Sequence, residues 1–184
     1  MKTNKFFATV ILVLTFGFTS FAQKTVMVGG AAMYPNKNII ENAVNSKDHT
    51  TLVAAVKAAD LVETLKGKGP FTVFAPTNEA FNKLPKGTVE TLLKPENKKK
   101  LQGILTYHVV SGKWSSADIA AAIKEGKGKA SIKTVAGGTL TAWMKGKDLY
   151  ISDENGNKAK VTIADVNQSN GVIHVVDAVL LPKK

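Results

Sequence analysis

The spacing of apolar residues divides the chain into a helical first part and a stranded second part. Ile39, Ile40, Ala43 and Val44, then Leu52, Val53, Val56 and Ala59, recur at the three-to-four spacing of a helix face. Asp60 to Leu65 continues as a short helix, stopped by Gly67 and Gly69-Pro70. Phe71-Thr72-Val73-Phe74-Ala75 reads as a strand that halts at Pro76. Thr77 is placed to cap the next helix, with Glu79 in its first turn and Ala80, Phe81 and Leu84 on the inward stripe. Thr88 to Leu93 predicts another short helix, and Pro95 opens one in which Leu101, Ile104 and Leu105 share a face. Tyr107-His108-Val109-Val110 then reads as the start of a strand. Ser115-Ser116 caps a last helix carrying Ile119, Ala120 and Ile123.

Beyond about residue 130 the period drops to two. Ile132 and Thr134, then Leu140, Ala142 and Met144, then Leu149 and Ile151, alternate with their neighbours. Gly137-Gly138, Gly146 and Asn155-Gly156 mark the hairpin turns between these runs. Lys158 to Ile163 predicts a half-buried strand, lysines out and Ala159, Val161 and Ile163 in. Val172 to Leu181 is almost wholly apolar and predicts a central strand pair covered on both faces. Helices first and an antiparallel sheet after make an α+β domain.

The N-terminus follows a different pattern. Lys2 and Lys5 precede an apolar run of about 13 residues, Phe6 to Phe18, with small residues at Ser20 and Ala22. That run is short of the roughly 20 residues a membrane span needs. It predicts a signal peptide, residues 1–22, cut after Ala22, and hence export to the periplasm or beyond. Residues 23–36, with Gly29-Gly30 and Tyr34-Pro35, read as a flexible lead-in to a domain at 37–183. No later segment is long and apolar enough to span a membrane.

Composition narrows the chemistry. With no cysteine, an exported chain has neither a disulfide framework nor a thiol nucleophile, so stability must come from its core. The formal charge of +11 falls to about +9 without Lys2 and Lys5, and all 25 basic residues are lysine. Lacking arginine's bidentate fork, the chain is poorly suited to specific nucleic-acid readout. Its lysines suit solubility or weak attraction to anionic polymers. Paired-histidine zinc helices, nucleophile elbows and phosphate loops do not occur, and no cofactor or metal is implied. Asp153-Glu154-Asn155-Gly156-Asn157 has acidic residues but not the spacing of a calcium loop, and reads as a hairpin turn.

Two long stretches go beyond generic pattern. Thr72-Val73-Phe74-Ala75-Pro76-Thr77-Asn78-Glu79-Ala80-Phe81 resembles the first signature block of the fasciclin domain family. Asn170-Gly171-Val172-Ile173-His174-Val175-Val176-Asp177, continuing to Pro182, resembles the second. Tyr107-His108, after Ile104-Leu105, is similar to the family's tyrosine–histidine motif. The resemblance runs from about Asn38 to Pro182. It implies a seven-stranded antiparallel β wedge with several short helices packed on one side. It also implies a non-catalytic role in cell adhesion, with a cell-surface or matrix protein or glycan as partner; a periplasmic or secreted binder of a small ligand or anionic glycan is the alternative.

Candidate residues follow from both lines. Phe74, Thr77, Asn170, Gly171, His174 and Asp177 are expected to hold the fold together. His174, in an apolar strand, needs a hydrogen-bond partner, for which Asp165 and Asp177 both qualify. Tyr107 and His108 are the candidates for partner contact, since tyrosine offers rigid amphipathic area; packing at a helix–strand junction is the alternative. His49 reads as a surface or capping residue. Trp114 and Trp143 are a possible sugar-stacking platform, with core or edge packing as the alternative.

Overall fold

The computed structural model describes residues 25–183. The expected signal peptide, 1–22, and the first two residues of the lead-in lie outside the described residues. Within the expected flexible lead-in, β1 (Val26–Val28) and β2 (Ala31–Met33) pair as an antiparallel hairpin. Its turn is fastened to the domain, because the Lys47 N–H donates to the Gly29 carbonyl at 3.1 Å. Val28 and Met33 are buried in the main core, so this segment is packed rather than loose.

Short helices follow. α1 (Ile39–Ala43) opens with a capping box in which Asn38 and Glu41 satisfy each other's backbone N–H groups. α2 (Thr50–Ala58) and α3 (Val62–Lys66) lead into β3 (Phe71–Pro76). Thr77 then caps α4 (Asn78–Asn82), its hydroxyl accepting from the Ala80 N–H at 3.2 Å. α5 (Thr88–Leu92) and α6 (Lys98–Tyr107) deliver the chain to β4 (Val109–Ser111). A second capping box, Ser115 with Asp118, starts α7 (Ser116–Glu125). β5 (Lys129–Lys133), β6 (Thr139–Lys145), β7 (Asp148–Ser152), β8 (Lys158–Gln168) and β9 (Gly171–Val176) complete the chain.

The larger sheet has seven strands in the order β4-β3-β9-β8-β7-β6-β5. All pairs are antiparallel except one: β3 and β9 run parallel, with Val73 opposite Ile173 and Phe74 opposite His174. A parallel pair needs a long connection, and the whole of α4 to β8 supplies it. The two ends of the sheet approach each other, the Val135 N–H after β5 donating to the Val109 carbonyl of β4 at 2.8 Å. The wedge is therefore nearly closed, which protects its edges.

The expected strand pair over Val172–Leu181 is a single strand, β9, ending at Val176. Asp177 ends it: its N–H donates to the Lys160 carbonyl and its carboxylate accepts from the Lys160 N–H. Val179 and Leu180 are apolar because they are buried, without belonging to a strand.

Two apolar clusters share the central strands. α1 to α6 and the inward residues Val73, Ala75, Ile173 and Val175 build the first. Phe74 and Val176, from the opposite faces of the same strands, join α7 and β5–β8 in the second. This two-sided burial is why β9 is apolar on both faces apart from His174, and β3 apart from Thr72. Helices α1 to α6 lie with one cluster, while α7 covers the other. β8 serves both clusters by changing phase. Ala159 and Val161 point into the second, Val166 into the first, with register shifts between them and Asp165 at φ 58°.

Candidate functional site

The residues singled out by the two motifs meet at the centre of the molecule. The Phe74 and His174 rings stack at 5.7 Å across the β3–β9 pair. The His174 Nδ1 accepts from the Asp165 backbone N–H at 3.3 Å, so Nε2 carries the proton and donates to the Trp114 carbonyl at 2.8 Å. Neither expected carboxylate is the partner. The Asp165 side chain instead accepts from the backbone N–H and hydroxyl of Ser116 at the start of α7. Burial lowers the His174 pKa, the bond to Trp114 opposing the shift. The ring is a neutral tie between β9, the β8 bulge and the 114 loop.

His108 makes a second tie of the same kind. Its Nε2 accepts from the Leu180 N–H at 3.0 Å, leaving Nδ1–H to donate to the Ile104 carbonyl at 2.9 Å. Burial lowers its pKa as well. Tyr107 beside it is 0% exposed and His108 3%. The Tyr107 hydroxyl donates to the Thr139 carbonyl at 2.9 Å and accepts from the Glu154 N–H at 3.3 Å. A Cβ on Gly138 would come within 2.6 Å of the Tyr107 ring. Neither side chain offers surface to a partner; the pair packs at the junction of α6 and β4.

Asn170 occupies the two-residue turn between β8 and β9 and is itself buried. Its side chain accepts from the Ile39 N–H at 3.0 Å and donates to the carbonyls of Leu65 and Gly67 at 2.7 and 2.9 Å. One amide therefore joins α1, the end of α3 and the sheet. Gly171 has no room for a side chain, since a Cβ would lie 2.0 Å from the Phe71 carbonyl oxygen. Both signature stretches are thus read directly as neighbouring central strands with their flanking turns.

The fasciclin domain model matches residues 47–182. The chain belongs to the fasciclin domain family. Protein sll1483 of Synechocystis sp. is 50% identical over 160 residues, covering 87% of this chain and 82% of that protein. Transforming growth factor-beta-induced protein ig-h3 of Sus scrofa is 40% identical over 131 residues, 71% of this chain but only 17% of that protein. Among solved structures, a FAS1 domain pair from the insect cell adhesion molecule Fasciclin I superposes with a TM-score of 0.70 at 17% identity. It covers 78% of this chain and 50% of that one, which establishes a shared fold.

Other features of this fasciclin domain were not legible as such. His49 is 3% exposed rather than at the surface. Its Nδ1 pairs with the Ser46 hydroxyl at 2.9 Å, and burial lowers its pKa against the opposing effect of the Ala75 carbonyl. No well-formed hydrogen bond reaches its Nε2. The ring lines an apolar cavity of about 80 Å³ in the first cluster, with Val28, Met33, Ile39, Leu52 and Val166 among its walls. The 153–157 segment is a turn organised by buried Asp153, whose carboxylate accepts from the N–H groups of Asn155, Asn157 and Leu181.

Trp114 and Trp143 do not form one platform. Trp114 packs against the second cluster, whereas Trp143 stands on the opposite, outward face of the sheet. Its partner there is Tyr150, stacked at 4.7 Å with the planes 16° apart. Lys158 holds its ammonium 5.7 Å from the Trp143 ring. The signal for this pair is their alternation out of phase with Ala142, Leu149 and Ile151. The cross-strand register is needed to bring the two rings together. Among the described residues no helix is long and apolar enough to cross a membrane. Among the same residues no cluster of His, Asp or Glu has the makings of a metal site.

Proposed function

We propose that this chain is an exported, non-catalytic binding module that associates with cell-surface, envelope or matrix material. The observation that carries the reading is the match to the fasciclin domain over nearly the whole folded region. The same fold occurs in a protein described as a cell adhesion molecule. The N-terminal sequence supports export, with cleavage after Ala22 to give a domain of residues 37–183 and its preceding segment. Neutral, doubly bonded His108 and His174 are committed to the fold, which supports a binding rather than a chemical role.

Tyr107 and His108 enter this proposal indirectly, by fixing the α6–β4 junction and the loops that pack on it. The test uses the chain expressed with its own leader. Mass spectrometry of the exported protein should show a start at Gln23, and the protein should attach to native envelope material. A retained leader, or no attachment, would overturn the reading.

The apolar cavity beside His49 favours a second reading, capture of a small apolar molecule with one polar group. Native mass spectrometry of the exported protein would reveal a co-purifying ligand. Loss of that ligand in His49→Leu would assign it to the cavity, and a ligand-free spectrum would dismiss this alternative.

A further inference from the structure

We propose that the outward face of β5–β8 binds an acidic polysaccharide, a polymer of uronate or sulfated sugars. The proposal rests on the reading of the domain as a binding module, and gives that reading its surface and ligand chemistry. The register aligns Lys129 with Trp143, Trp143 with Tyr150, and Tyr150 with Lys160. These four residues form one row across four strands, in antiphase to the buried Ala130, Ala142, Ile151 and Ala159. At the usual spacing of about 4.8 Å per strand, the row runs about 14 Å between its terminal lysines. Its middle is the stacked Trp143–Tyr150 pair.

Charge on this face is strongly one-sided. Its strand positions carry Lys129, Lys133, Lys145, Lys158 and Lys160 against Asp148 alone. Asp148 is paired with Lys160 at 2.8 Å, and the other four lysines make no ion pair among the described residues. Glu154, just beyond the strands, faces the Thr139 N–H at 3.3 Å. Lysines on solvent-facing strands often serve only to keep edges apart, and the place of Lys129 and Lys133 on the terminal strand β5 would suit that role as well. Edge protection does not account for two large half-buried aromatics facing out from the interior strands β6 and β7.

An acidic polysaccharide matches each component. Its carboxylates or sulfates meet the ammonium groups, and its C–H faces pack on the rigid Trp143–Tyr150 ridge. Its hydroxyls meet those of Ser131, Thr141 and Ser152 in the adjacent row. Single-stranded nucleic acid is a poorer fit, because bases need free aromatic faces and these rings are stacked on each other. A bilayer is poorer still, since the outward strand positions carry no aliphatic side chain to enter it.

The experiment measures binding of the exported protein to alginate and heparin, beside single-stranded DNA and phosphatidylserine vesicles. Lys129→Gln with Lys158→Gln should weaken alginate binding about tenfold or more, and so should Trp143→Thr. Lys99→Gln with Lys100→Gln on α6 removes the same charge and should change it less than about twofold. Thermal melts confirm that each variant is folded, and the lysine pair decides the matter if Trp143→Thr is not. The proposal is overturned if wild type ignores both polysaccharides, prefers DNA or vesicles, or loses equal affinity in the α6 control. The same variants are assayed for attachment to envelope material. Attachment that survives them removes this face but leaves the module standing; a wild type that never attaches removes the module itself.

Discussion

Tyr107 concentrates several interactions in one side chain. Burial pushes its phenol up to about 12, with the Glu154 backbone bond opposing that shift. In an alkaline titration followed by ultraviolet absorbance, the ionisation step that disappears in Tyr107→Phe should lie near pH 12. That substitution should cost about 1–2 kcal/mol, because the Thr139 carbonyl and Glu154 N–H lose a partner. The three histidines act together on acid stability. Burial lowers the pKa of His49, His108 and His174 below the ordinary 6.5, so below that pH the unfolded chain binds more protons than the folded one. Stability is therefore full above 6.5 and falls as the pH drops beneath it. The limiting slope is about 4 kcal/mol per pH unit for three groups. Urea unfolding between about pH 7.5 and 5.5 measures it, and a flat profile would refute neutral buried rings.

At the scale of elements, backbone proximity decides what substitution can do. Gly171 lies against the Phe71 carbonyl where β3 meets β9, so Gly171→Ala must part the central strands. A loss of about 3 kcal/mol or more is expected. Gly103 in α6 has open space around it and helical neighbours, so Gly103→Ala should raise stability by about 0.5–1 kcal/mol. Chemical denaturation of the two variants gives opposite signs if the placement is right. The β8 bulge is a further element-scale device. By shifting phase between Val161 and Val166, one strand fills both clusters.

For the whole molecule, β3 and β9 make the two clusters one cooperative unit. Ile104→Val in the first and Ile132→Val in the second should each cost about 0.5–1.5 kcal/mol and move a single transition. Far-UV circular dichroism reports mainly on the helices, and tryptophan fluorescence on the side of Trp114. Coincident curves are expected in both variants; separated curves would mean that the clusters unfold independently.

Local sequence determined most of the elements, the helix caps at Thr77 and Ser115, the two-sided burial of β9, and the family. These are properties of residues close along the chain, where period, capping chemistry and motif spacing are written directly. Tertiary structure alone decided the parallel pairing of β3 with β9, the burial of His49, the partners of His174 and the inward turn of Tyr107-His108. It also decided that Trp143 stands beside Tyr150 rather than Trp114. Each depends on strand register or on what a distant segment covers, and local hydrophobic pattern carries neither.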